Sequence, residues 1–211
     1  AYEIRLSLVG SEMCIRDSGG TSAADAAKSG NVDLEPGSAI GVQLVKGDLD
    51  MVGVGTVTYR DGDTVLAFGH PMMGIGEVRF PITTAFVQHT FAGLARSFKM
   101  AGSIATVGTL TQDRRPTIVG KMGPQVGMIP LKVTVNNGEA KRSDVYNMQV
   151  IHHRQFTPIL TFISMMNSIS TAAGDQTDVS YDAKLLLKLK GKEPIELRDR
   201  IFSPQGVLGF G

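Results

Sequence analysis

Cysteine is nearly missing from this chain and tryptophan is missing altogether: its 211 residues hold one Cys and no Trp. A lone thiol cannot close a disulfide within the chain, so no disulfide framework can underlie the fold. Charge is also sparse. Charged residues make up 19%, and 21 basic against 20 acidic side chains leave a net charge of +1. Nucleic-acid partners are normally met by a basic face carrying aromatics. A near-neutral chain with 6% aromatic residues disfavours them. No stretch reaches the roughly 18 consecutive apolar residues of a spanning helix, so no membrane span is expected. What the chain does have is a 42% hydrophobic content and 25 glycines. Glycine punctuation among Val, Thr and Ile runs predicts short strands and turns rather than long helices.

Two segments are set aside before the fold is read. "VGSEMCIRDS", Val9 to Ser18, resembles one translated frame of a transposon-type sequencing-library adapter. Residues 1–18 are therefore read as a non-native segment that contributes nothing to the fold, the rival reading being a genuine amphipathic first strand, and Cys14, the single cysteine, falls inside it. Residues 19–36 are small and polar without a periodic apolar face, and read as a linker. Ordered structure is expected from near Pro36.

From there the pattern is β. Two strand-like runs flank "RDGD", a hairpin signal with its turn placed at Asp61–Gly62. Glu77 to Phe91 reads as one or two strands, with Pro81 at an edge or bulge. Further strands follow to residue 123, and "NNG" tips another hairpin between Gly127 and Ile151. The helix signal comes late. "TPILTFISMMNSIS" offers Thr157 as N-cap and Pro158 at the first helical position. Its apolar residues Ile159, Phe162, Ile163, Met166 and Ile169 recur at helical spacing. A last hairpin joins "VSYDAKLLLKLK" to "IELRDRIF" through "GKEP". The expected fold is mainly β, an antiparallel barrel or sandwich with one late helix and a C-terminal hairpin.

His70, in "TVLAFGHPMMGIG", is the foremost candidate catalytic residue. It is expected at the C-terminal end of the second hairpin strand, where Gly69 allows a turn and Pro71 restricts His70 to extended conformations. A base held rigidly at a strand end can meet substrate. The competing reading is a turn histidine bonded to a loop carbonyl. Asp113 or Asp63 could orient it, and the spacing selects neither. His152 and His153 are expected to point to opposite faces of a strand. With His89 and His70 they are scattered, so no metal site is expected, and no cofactor is implied. For a nucleophile, no G-x-S-x-G occurs. Ser38 and Ser103 have small neighbours but read as strand or turn residues. Ser164, Ser168 and Ser170 belong to the helix.

"PGSAIGVQLVKGDLDMVGVGTVTYRDGDTVLAFGHP", followed by "VGTLTQDRRPTIVGKMG", resembles the SpoIVB-type serine peptidase domain, the stage IV sporulation protein B peptidase family. The likeness spans about residues 36–155. It implies a trypsin-like double β-barrel with a His–Asp–Ser arrangement, and His70 matches the family's catalytic histidine. It also implies an extracytoplasmic setting in a bacterial envelope or secreted protein, and a peptide or protein as substrate or partner. The family's Gly-Met-Ser-Gly-Ser-Pro type nucleophile segment has no counterpart here. Either the serine lies beyond Gly211, or this branch keeps the barrel without it. The expected division is a peptidase-like β domain over 37–155 and a helix-plus-hairpin extension over 156–211. The expected function is histidine-assisted peptide hydrolysis if a nucleophile exists. The alternative is a non-catalytic domain that binds a peptide or partner protein.

Overall fold

A computed structural model describes residues 12–17, 33–91, 98–138, 141–173 and 179–203. The chain is mainly β, built on a closed six-strand antiparallel barrel with one helix and a C-terminal hairpin. The ring strands are β2 (Ala39–Gly47), β3 (Leu49–Asp61), β4 (Thr64–Ala67), β5 (Gly76–Phe91), β6 (Phe98–Arg114) and β7 (Thr117–Met122). They run in the order β3-β4-β7-β6-β5-β2, and β2 pairs back onto β3 to close the ring. Strand β3 is buried on both faces from Met51 to Gly55. This is why "MVGVG" reads as a continuous small and apolar run rather than an alternation.

The ring core is filled by Val42, Leu44, Val57, Val65, Phe80, Ile82, Leu110 and Ile118, each at most 1% exposed. Leu34, assigned from sequence to the linker, is also fully buried. Pro81 sits in β5 between two register shifts, at Glu77/Phe80 and Ile82/Thr83. It therefore breaks the ladder where the ladder is already interrupted.

Strand β1 (Glu12–Asp17) lies inside the segment set aside above. It pairs antiparallel with β3, from Glu12↔Val54 to Asp17↔Leu49. Strand β2 lies along one side of β3, and β4 covers the other side only at Val57–Asp61. The backbone groups of Leu49–Val54 on that second side need partners. Ladder bonds are made by main chain, so almost any short extended segment can supply them. Cys14 is paired through its backbone, and its side chain lies outside the described residues.

After the ring come β8 (Ile129–Asn137) and β9 (Arg142–Val150), paired as expected, and β9 adds to β2 through Val45–Gly47. Helix α1 covers Phe156–Ala173, and the final hairpin joins β10 (Val179–Leu187) to β11 (Ile195–Ser203). The chain forms two compact units. One comprises residues 1–132 and 146–161; the other comprises 133–145 and 162–211. The second unit differs from a 156–211 extension: it takes in residues 133–145 of the β8–β9 hairpin and leaves 156–161 to the first unit.

The helix departs from its sequence reading at both its start and its face. His153, not Thr157, is the cap: its Nδ1 accepts from the backbone N–H of Gln155 (3.3 Å) and Phe156 (3.4 Å). Thr157 Oγ1 accepts from the His153 N–H at 2.7 Å and donates to the Ile151 carbonyl at 2.8 Å. The pair closes a reciprocal cap one turn earlier than expected. The buried stripe runs through Leu160, Ser164, Ser168 and Ala172 at four-residue steps, while Ile159 and Phe162 are more than half exposed.

The β10–β11 hairpin carries a charge ladder on one face, with ion pairs Arg200–Asp182, Lys184–Glu196 and Arg198–Glu196. Hydrogen bonding from Arg200 lowers the Asp182 carboxyl below its ordinary range, and Lys184 with Arg198 does the same for Glu196. Because the folded values lie below the unfolded ones, the pairing contributes fully above the ordinary carboxyl range and is lost as pH falls through the lowered values. Amide protection across β10–β11 is therefore expected to drop on acidification into that range, and to drop at neutral pH when salt is raised. Hydrogen exchange followed residue by residue checks both.

Candidate functional site: the His70 corner

The β3–β4 hairpin that delivers His70 forms, shifted by one residue. Asp61 pairs with Thr64, so the two loop residues are Gly62 and Asp63 rather than Asp61 and Gly62. Gly62 takes φ 53, the left-handed region that glycine enters at least cost. Asp63 consequently sits at the opposite end of β4 from His70, roughly 13 Å of strand away. This placement removes it as an orienting carboxylate.

At the other end of β4 the chain turns sharply. Phe68 has φ 74 and Gly69 has φ 71. A left-handed Phe is strained by about 1–3 kcal/mol. Full burial of a Phe side chain returns a comparable amount, about 1.5–3 kcal/mol. The corner holds because the ring is seated completely, at 2% exposure. Its seat is a glycine. A Cβ on Gly55 would stand 2.2 Å from Phe68 Cδ1. Gly53, two residues earlier on the same face of β3, gives the same room to Met72, whose Cε would be 2.8 Å from a Cβ there. The "GVG" of β3 is thus a recess that receives the residues two before and two after His70.

Asp113 holds the following loop. It is 2% exposed. Its Oδ1 accepts the backbone N–H of Met72 at 2.8 Å, and its Oδ2 accepts those of Met73 (2.7 Å) and Gly74 (2.8 Å). Three main-chain dipoles balance one buried carboxylate, with no cation paired to it among the described residues. Of the two carboxylates offered by the sequence, Asp113 is the one brought to the corner. It is committed to the loop, and the imidazole is not among its hydrogen-bond partners.

The imidazole itself is half-buried and lies 5.8 Å from the Phe68 ring, centroid to centroid. Nδ1 is 2.7 Å from the Pro71 carbonyl oxygen. A carbonyl only accepts, so Nδ1 carries a proton, and in the neutral imidazole the lone pair is on Nε2. That Nε2 is buried and has no hydrogen-bond partner. The tautomer is the one a general base needs, but no nucleophile among the described residues lies within its reach.

Among the described residues none of the candidate serines is hydrogen-bonded to His70 Nε2, and Ser164 Oγ is itself buried without a partner. Ser38 Oγ accepts the Glu35 N–H at 3.2 Å and donates to the Asp33 carbonyl at 3.4 Å. Ser103, on β6, donates to Asp50 Oδ2 at 3.0 Å, and Asp50 Oδ1 accepts from the fully buried Gln43 amide. Ser164 and Ser168 are buried on α1, with Ser168 Oγ bonded to the Ser164 carbonyl at 2.8 Å. Ser170 is half-buried on the same helix. The Gln43–Asp50–Ser103 cluster was not anticipated. The "VQLV" run gives only one hint, a lone amide at a core position.

His152 and His153 do not occupy a strand, so strand alternation does not apply to them. They follow β9 and both line one open groove of about 600 Å3 on the barrel. The side chain of His89 lies outside the described residues. Among the described residues no group of three or more His, Cys, Asp or Glu could hold a metal ion. No described helix is long and apolar enough to cross a membrane.

Comparison of the chain with family models, with curated proteins and with solved structures gave no match.

Proposed function

We propose that this chain is a non-catalytic barrel domain of the SpoIVB peptidase type that binds a peptide or partner protein in the bacterial envelope. One observation carries the reading: the hydrogen-bonding groups around His70 are spent on holding the corner. Nδ1–H goes to the Pro71 carbonyl, the Asp113 carboxylate goes to three loop N–H groups, and among the described residues no hydroxyl is hydrogen-bonded to Nε2. Serine hydrolysis needs a hydroxyl for the imidazole to deprotonate and donors fixed beside it. The envelope setting rests on the family resemblance of residues 36–155.

A second reading, a serine peptidase, is favoured by a different feature. Two consecutive left-handed residues precede His70, and backbone strain of this kind clusters at active sites. Incubation with an unfolded protein substrate separates the two. The proposed reading expects no cleavage above that of His70→Ala over hours. Turnover that disappears in His70→Ala would establish the peptidase.

A further inference from the structure

We infer that the groove beside the clamped loop is a recognition site for an acidic peptide segment; this rests on the binding-module reading above. The groove lies within the first compact unit, with walls from β5, β6, β7 and the segment ahead of α1. It starts one residue from the clamp: Glu77 pairs with Gln112, and the neighbouring pair is Gly76 with Asp113. Its walls carry three exposed cations from three separate segments, Arg79 on β5, Lys121 on β7 and Arg154 ahead of α1. Among the described residues none of the three is in an ion pair. His152 adds an exposed imidazole, and Glu77 is the one acid in the lining. In a chain with a net charge of +1, this is a local concentration of unspent positive charge in a concave surface.

The volume and the charge of the walls point to the occupant. About 600 Å3 is the size of a site for a sizeable organic ligand, far more than one phosphate fills. Cations on three walls suit several carboxylates spaced along a chain. At the groove β6 and β7 are paired on both sides, whereas β5 pairs there with β6 alone, since β2 meets it only at Ile82–Thr84. The exposed cations on three separate segments make side-chain recognition by charge the main contribution. Exposed charge pairs of this kind steer association and discriminate by sign more than they add raw affinity.

The test is fluorescence anisotropy on the full 211-residue chain with a labelled, end-blocked peptide rich in Asp and Glu. Neutral and Lys-rich peptides of equal length serve as controls. The acidic peptide is expected to bind, to weaken as salt rises, and to lose about fivefold or more in affinity with Lys121→Glu or Arg154→Glu, while Glu77→Gln tightens it. All three positions are exposed, so a circular dichroism spectrum checks that the variants fold, and the Glu77 variant carries the test if a reversal does not. Equal binding of the neutral peptide, or no response to any of the variants, would overturn the inference. So would complete displacement by inorganic phosphate at matched ionic strength, or tighter binding of a single-stranded oligonucleotide. Cleavage of the peptide would instead sink the non-catalytic reading, and it would leave the charge preference readable in the binding curves.

Discussion

Asp113→Ala is expected to cost about 3–5 kcal/mol of folding stability, because three backbone N–H groups lose their acceptor at once. At this chain size that corresponds to a fall in melting temperature of roughly 10–15 °C. Two terms set the magnitude. The Met72, Met73 and Gly74 N–H groups each donate to the carboxylate at 2.7–2.8 Å, and hydrogen bonds to a charged group are worth more than neutral ones. The alanine also leaves a void at a position only 2% exposed, which water can fill only in part. Asp113→Asn keeps one acceptor oxygen and should fall between alanine and the native residue. Urea unfolding of the three proteins checks the order. A loss under about 1 kcal/mol for Asp113→Ala would mean that the loop finds its hydrogen bonds elsewhere.

The second large effect comes from a single added methyl. Gly55→Ala places a Cβ 2.2 Å from Cδ1 and 2.4 Å from Cε1 of Phe68. Overpacking usually costs about 1–3 kcal/mol, and this site should sit near the upper end. The ring is fully buried and its own backbone is held at φ 74, so neither partner can step aside cheaply. Gly62→Ala is the contrasting case. Nothing lies within 4 Å of a Cβ there, and only the left-handed backbone opposes it, at about 1–2 kcal/mol. In Gly55→Ala/Phe68→Leu the smaller side chain makes room for the methyl. The double variant should therefore lose less than the sum of its single variants, by at least about 1 kcal/mol. Strict additivity would show that the recess is not what seats the corner.

Much of the fold was legible because its punctuation is local. "RDGD" marked the first hairpin to within a residue, "NNG" and "GKEP" marked two more, and the late apolar spacing marked the helix, though its cap lies one turn earlier at His153. The corner was legible in part. Gly-His-Pro announced a constrained histidine at a strand end, and the sequence offered Asp113 as one of two carboxylates. It could not say what Asp113 does. The register shift between Leu110 and Gln112 puts Leu110 and Asp113 on the same face, whereas strict alternation would put them on opposite faces. A bulge of this kind is decided by the partner strand, and the residues themselves do not record it. The same holds for Gly53 and Gly55. As text they are strand-weakening glycines; as structure they are a recess whose occupants come from thirteen or more residues later in the chain. The helix face was misread for a related reason. Ser164 and Ser168 are buried while Ile159 and Phe162 are more than half exposed, an inversion that apolar spacing alone does not foretell. The pairing of β1 shows the limit most plainly, since main-chain hydrogen bonds accept a strand of almost any composition.

Labelling by a fluorophosphonate probe, read by intact-mass spectrometry on the native chain and on His70→Ala, tests the central claim most directly. If the His70 corner is a clamped structural element of a binding module, neither protein gains the mass of the probe. A single stoichiometric adduct on one serine of the native chain, absent from His70→Ala, would contradict the account and identify an activated nucleophile.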